Sequence, residues 1–324
     1  MSAAPAPLLE VDLAVERRAV TVEAGFGLGA GQRLAIFGTS GAGKTTILES
    51  IAGLTRLSRG QVRIEGRLVA GRARGETAAA ARDRQVALVR QPTTLFPHLT
   101  VTQNVAYGTR AGGGGQVAEL LERLGLSSLA RARGAALSGG QRQRVALGRA
   151  LATPFRVLLL DEPLSAVDVV AREALRLLAI EASLRREAAG ILVTHDLAEA
   201  QAFGGRLGII DEGRLLQIGS SHEVVISPTS RRVAELVGYG GFVPAPMRPD
   251  RWYAIHPDRV VPGAQAERGV VLGGPVVSTR PFGARYECVV SDRSGEQFKV
   301  HLDEAPTTGA VVTLTALEPP VVGA

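Results

Sequence analysis

Apolar and polar positions alternate from the first residues onward. Between residues 8 and 24, Leu9, Val11, Leu13 and Val15 are apolar against Glu10, Asp12 and Glu16, and Val20 and Val22 resume the pattern after "ERRA". A period of two predicts a β-hairpin. Five short apolar runs follow, "RLAIF", "VALV", "VLLLD", "GILVT" and "LGIID". Between them lie longer stretches such as "KTTILESIAGL" and "VAREALRLLAIEASLRREA", whose apolar residues recur at helical spacing. Strands that alternate with helices predict a mainly parallel α/β sheet, in which ligands gather beyond the carboxyl ends of the strands.

The texture changes near residue 238. "GYGGFVPAPMRP" reads as a loop, and beyond it strands recur without long helices. Phe298, Val300 and Leu302 alternate with Lys299, His301 and Asp303, and "SDRSGE" supplies a hairpin turn after "YECVV". The sequence therefore predicts two domains, residues 1–239 and 240–324. "AGGGGQ", residues 111–116, reads as a flexible connection.

Composition adds limits. A chain of 324 residues exceeds the usual single domain and carries enough apolar content for real cores. Only Lys44 and Lys299 are lysines, so the net charge of +6 is almost wholly arginine. Its basic residues are scattered, which predicts a solvated surface and no nucleic-acid partner. The single cysteine, Cys288, excludes an internal disulfide and suits a reducing compartment. The opening "MSAAPAPLLEVD" lacks a secretory pattern, and no apolar run reaches the roughly 18 residues that spanning requires, so the chain is expected to be neither secreted nor membrane-spanning.

The chemistry concentrates in "GTSGAGKTT", comprising Gly38, Thr39, Ser40, Gly41, Ala42, Gly43, Lys44, Thr45 and Thr46. It fits the phosphate-loop pattern, with a strand before it and a helix after it. Successive backbone N–H groups can wrap phosphate oxygens there, and the helix N-terminus adds a favourable dipole. Lys44 is a compact charge that reaches the outer phosphates, and the Thr45 hydroxyl suits Mg²⁺. A glycine-rich turn before an ordinary helix is the bland alternative.

Other stretches carry weaker chemistry when taken singly. Asp161 ends an apolar strand, where a carboxylate can hold Mg²⁺ beside phosphates, and Glu162 next to it can polarise an attacking water. Alone, such a pair reads as a solvated loop. Ser138 can cap the helix that "SGGQ" opens, and the glycines leave its N–H groups open to an anion, or it is an ordinary helix start. His195 after "ILVT" and Gln91 before a helical segment carry no message by themselves.

Together these stretches resemble the ATP-binding cassette (ABC) ATPases. "LSGGQRQR" (residues 137–144) is similar to the signature of that family, and "VLLLDEP" (157–163) to its second nucleotide motif. "LSAVD", "VTHD" and the Gln91 loop fall in the same order, over about residues 8–237. The resemblance implies a RecA-like P-loop domain with antiparallel β and helical subdomains, the latter about residues 92–150. It also implies a small C-terminal all-β domain of the TOBE or OB type, for which "WYAIHPDRV" is the looser match.

Several roles follow from the resemblance alone. ATP and Mg²⁺ are the cofactors; His195 contacts the γ-phosphate, Glu162 and Gln91 address the attacking water, and Thr45, Gln91 and Asp161 address the metal. Ser138 to Gln141 face ATP held by a second copy, and Asp168 lies near the dimer seam. The family pairs such homodimers, at the cytoplasmic face of the membrane, with integral-membrane permease subunits and indirectly with an extracytoplasmic solute-binding protein. Phe96, Pro97 and His98 are the candidate docking segment, with core packing of Phe96 as the rival. The N-terminal half looks similar to molybdate importers, and the tail to the sulfate, ferric iron, polyamine and sugar group. In one respect the chain departs from the family: no aromatic residue precedes Phe26 to stack on adenine, which leaves Arg17 or Arg18 for that task. A soluble ABC ATPase acting on nucleic acid or ribosomes, and an inactive scaffold, are the competing readings.

Overall fold

The computed structural model describes residues 6–17, 20–71, 78–109, 114–245 and 250–323. The alternating N-terminus forms β1 (Leu9–Glu16) and β2 (Thr21–Leu28), paired antiparallel with Leu13 opposite Ala24 and Val15 opposite Val22. β3 (Arg33–Phe37) leads into the phosphate loop and α1 (Lys44–Ala52), followed by β4 (Arg59–Ile64), β5 (Arg67–Gly71) and β6 (Val86–Val89). Three helices interrupt the strands: α2 (Val101–Ala106), α3 (Gly114–Arg123) and α4 (Gly139–Ala152). Then come β7 (Val157–Asp161), α5 (Val169–Arg185), β8 (Ala189–Thr194), α6 (Leu197–Phe203), β9 (Arg206–Asp211) and β10 (Arg214–Ser220).

These ten strands make one sheet in the order β5-β4-β1-β2-β10-β9-β3-β8-β7-β6. Strands β9, β3, β8, β7 and β6 pair in parallel, and β2, β1, β4 and β5 form an antiparallel wing. Every position of β7 and β8 is buried, which explains why their sequences are unbroken apolar runs and do not alternate. Ile47, Leu48 and Ile51 of α1 are fully buried against this sheet. Each such side chain contributes about 1.5–3 kcal/mol relative to exposure, which fixes the helix under the phosphate loop.

The remaining elements are α7 (Ser221–Ile226), α8 (Arg231–Leu236), β11 (Gly241–Pro244), β12 (Arg251–Ile255), β13 (Val260–Pro262) and β14 (Gly269–Phe282). After them run β15 (Arg285–Ser291), β16 (Gln297–Leu302), β17 (Val311–Leu317) and β18 (Val321–Gly323). β11 to β18 form an eight-stranded sheet in the order β13-β17-β14-β15-β16-β11-β12-β18, and its registered pairs are antiparallel. Phe298, Val300 and Leu302 all point into its core, and residues 292–296 turn between β15 and β16 as their sequence predicts.

By packing, the chain divides into two compact units at Ile218/Gly219, so α7 and α8 go with the second unit although its sheet begins only at Gly241. Two local expectations are corrected. Of the stretch read as a flexible connection, residues 111–113 lie outside the described residues, but Gly114 to Gln116 are the first turn of α3. The buried Val117, Leu120 and Leu121, at helical spacing, draw that turn into the helix. Likewise Gly241 to Pro244, read as loop, is a strand because Phe242 and Val243 are buried in it. Among the described residues, no helix is long and apolar enough to cross a membrane.

Candidate functional site

The site lies at the carboxyl ends of β3, β7 and β8, three adjacent parallel strands. Three glycines shape the loop leaving β3. A Cβ on Gly38 would fall 2.1 Å from the Ile210 carbonyl oxygen, so β3 approaches β9 more closely than any side chain permits. Gly43 caps α1 with φ of 101°, where a Cβ would meet the Val22 methyl at 2.7 Å. Gly41, with φ of 84°, borders open space. Ala42, between them, is buried, and its carbonyl accepts from the Gly213 N–H at 3.1 Å.

Lys44 is 7% exposed, and its Nζ donates to the carbonyls of Gly38 and Thr39, both at 2.8 Å. Burial lowers its pKa, and the Glu162 and Asp161 carboxylates oppose that fall. An ammonium group is thus fixed inside the loop with two carboxylates facing it. Thr39 Oγ1 donates to Asp211 Oδ1 at 3.3 Å, tying the loop to the end of β9. Ser40 and Thr46 fall in the same loop and first helical turn.

Asp161, at the last position of β7, is 4% exposed. The Thr45 hydroxyl lies 3.1 and 3.0 Å from its two carboxylate oxygens. Burial pushes the Asp161 pKa up, with the hydrogen bond from Thr45 pulling down, Glu162 pushing up and the Gln91 backbone N–H pulling down. Glu162 follows with φ of 43°, and its Oε1 lies 2.8 Å from His195 Nδ1 at the end of β8. Gln91 Nε2 donates to Ser165 Oγ at 3.3 Å, and Ser165 Oγ donates to the Glu162 carbonyl at 3.2 Å. The predicted residues of the phosphate loop therefore converge with Gln91, Asp161, Glu162 and His195 in one place.

The other predicted residues form a neighbouring face. Ser138 Oγ accepts from the Gln141 N–H at 3.3 Å, and Gln141 Oε1 accepts from the Ser138 N–H at 2.8 Å, a reciprocal cap at the start of α4. Gly140 packs so closely that a Cβ would lie 2.6 Å from the Ala166 carbonyl, and Gly139 abuts the same residue. Asp168 caps α5 by accepting from the Ala171 N–H at 2.9 Å. Beside it Val169 and Val170 are 79% and 88% exposed, an apolar pair on the surface.

Sequence reasoning missed Ser165 and Gln143. Gln143 donates from Nε2 to Ser165 Oγ at 2.9 Å and accepts from the Ala166 N–H at 2.9 Å, so a single hydroxyl joins Gln91 to the signature helix. Helical phase is the available signal, since it turns Gln143 to the buried side of α4. Asn104 was missed too. Fully buried, it receives the Phe96 N–H and donates to three carbonyls, those of Phe96, Leu99 and Thr100. Phe96 itself is half-buried against Tyr107, with ring centroids 4.4 Å apart and Arg149 over its face, while Pro97 and His98 are exposed. Arg17 bonds to Thr55 Oγ1 at 3.2 Å and pairs with Glu49 at 3.6 Å; Arg18 lies outside the described residues.

The model of one family, described as ABC transporter, matches residues 23–165. The Fe(3+) ions import ATP-binding protein FbpC 3 of Rhodococcus jostii (strain RHA1) is 39% identical over 295 residues, covering 90% of this chain and 79% of that protein. The chain belongs to the ABC transporter family. A second ABC relative, the Fe(3+) ions import ATP-binding protein FbpC of Streptomyces coelicolor, is 35% identical over 337 residues, covering 99% and 94% of the two chains. The sulfate/thiosulfate import ATP-binding protein CysA 2 of Chromobacterium violaceum is 42% identical over 230 residues, or 69% of this chain and 61% of its own length. Among solved structures, the ATP-binding cassette MJ0796, captured as a dimer in a post-hydrolysis state bound to ADP and Pi, superposes with a TM-score of 0.56. It shares 26% identity and covers 66% of this chain and 98% of its own.

Proposed function

We propose that this ABC protein is the ATP-hydrolysing subunit of an importer, working as a homodimer at the cytoplasmic face of a membrane and driving separate permease subunits. The observation that carries the reading is the convergence of Lys44, the Thr45–Asp161 pair and the Glu162–His195 pair at three parallel strand ends. Loop N–H groups and the Lys44 ammonium hold the β- and γ-phosphates of ATP. The hydroxyl of Thr45, the buried Asp161 carboxylate and the Gln91 amide oxygen are hard oxygen donors of the kind Mg²⁺ takes, and they fit that ion. Bound there, Mg²⁺ would neutralise charge that develops on the phosphate oxygens.

Glu162 orients the attacking water and accepts its proton as the water oxygen bonds the γ-phosphorus and the bond from that phosphorus to the β-phosphate oxygen breaks, releasing ADP. Its bond to His195 aims the carboxylate, and His195 in turn contacts the γ-phosphate. Gln91, through Ser165, links the Glu162 main-chain carbonyl to the segment at Phe96, Pro97 and His98 on which the permease docks. Ser138, Gly139, Gly140 and Gln141 cap the partner subunit's nucleotide, and the exposed Val169 and Val170 beside Asp168 supply apolar area to the seam. The antiparallel sheet of β11 to β18 makes a TOBE-like accessory domain. Names of the relatives point to ferric iron or an oxyanion as the solute, the solute itself being chosen by the permease and an extracytoplasmic binding protein.

Glu162→Gln tests the reading. It should retain ATP and accumulate a closed dimer on size-exclusion chromatography, while turnover falls at least ~100-fold. Full turnover in that variant overturns the assignment. Stimulation of hydrolysis by the co-purified permease with a ferric or oxyanion solute supports the importer, and stimulation by DNA or ribosomes supports the soluble alternative.

A further inference from the structure

Glu199 is a carboxylate for which the hydrolytic chemistry above has no use. It sits in the first turn of α6, half-buried, lining a small cavity with Arg176 of α5 and the apolar Leu160, Leu164, Leu175, Leu192 and Phe203. Burial pushes its pKa up; the hydrogen bond from Thr194 pulls it down, Asp196 pushes up, Arg172 of α5 pulls down and Glu162 pushes up. A carboxylate held against an apolar wall and two like charges is unfavourable unless it satisfies something specific.

What it satisfies is a ring of hydrogen bonds around one residue. Thr194 Oγ1 donates to Glu199 Oε2 at 2.5 Å. The same oxygen accepts from the Asp196 N–H at 3.1 Å, and Asp196 Oδ1 accepts from the Glu199 N–H at 3.0 Å. His195 is the residue between the two pinned positions, and it projects from the ring to place Nδ1 2.8 Å from Glu162 Oε1. An ionised carboxylate only accepts, so Thr194 must donate to it and must offer a lone pair to Asp196. The charge thereby fixes the direction of the Thr194–Glu199 bond, and the other two donors are main-chain N–H groups that can only donate.

We infer that Glu199 is a positioning residue for ATP hydrolysis, acting through Thr194 to hold the turn that carries His195 onto Glu162. The inference rests on the hydrolytic reading proposed above. Glu199→Ala should lower kcat about tenfold, with KM for ATP changed less than about twofold. Glu199→Gln keeps an acceptor oxygen and should recover most of the loss, and Thr194→Val should reproduce it. A merely structural role would not produce the decisive readout: in the His195→Ala background, Glu199→Ala should add nothing, because its route to the reaction is gone. Thermal unfolding of each variant, with nucleotide retention, verifies that the protein stays folded.

Unchanged kcat in a folded Glu199→Ala, or a loss that multiplies with that of His195→Ala, overturns the inference while leaving the hydrolytic reading intact. A wild-type chain that does not turn over ATP, or an undiminished Glu162→Gln, overturns both.

Discussion

At the residue scale, the site sets function against stability. Asp161 has its pKa raised by burial, so its ionised form is less favourable in the folded chain than in the unfolded one. For an acid shifted upward, folding binds protons, and stability falls as pH rises from the unfolded value through the folded one. Above the folded value that penalty is fully present. Asp161→Asn keeps an oxygen for the Thr45 hydroxyl and removes the charge. It should raise the melting temperature in magnesium-free buffer while abolishing turnover, both measurable on one preparation. The sequence made Asp161 and its loop partners legible because each belongs to a contiguous motif next to a strand. Ser165 and Gln143 were not legible, because their importance arises from bonds between segments that the sequence holds apart; Asn104, whose partners lie within eight residues, was not legible because an asparagine after a turn reads as exposed.

At the element scale, α4 depends on its first turn. No acidic residue complements its N-terminal dipole, so the Ser138–Gln141 capping box carries that end. Ser138→Ala should cost about 1 kcal/mol of stability by urea denaturation, with the larger effect on dimer formation in the presence of ATP. Strand and helix placement followed the unbroken apolar runs of β7 and β8 and the helical spacing of α1, whose burial is dictated by local sequence. It failed for Gly114 to Gln116 and for Gly241 to Pro244. In both stretches glycine content suggests a loop, and the buried side chains of a neighbouring turn or strand override that local preference.

At the scale of the whole molecule, the two units are open to separate tests. Trp252, the only tryptophan, lies in β12 of the second unit, so its fluorescence reports that unit alone. There Asp258 accepts from Arg285 at 2.5 Å and pairs with His301 Nδ1 at 2.8 Å, and the His301 ring stacks on Phe282. Burial would push the Asp258 pKa up, but the hydrogen bonds from His301 and Arg285 outweigh it and hold the carboxyl below its ordinary range. A depressed acid contributes stability above its unfolded pKa and loses it as pH falls through the folded one. The fluorescence melting temperature should therefore drop as pH falls below about 4, and Asp258→Asn should flatten that drop.

The backbone of Glu162 has a φ of 43°, a region in which glycine rests easily and a glutamate is strained. Breeding this chain for heat survival alone would favour replacing that residue, and the winners of such a contest would be sturdy proteins that no longer burn their fuel.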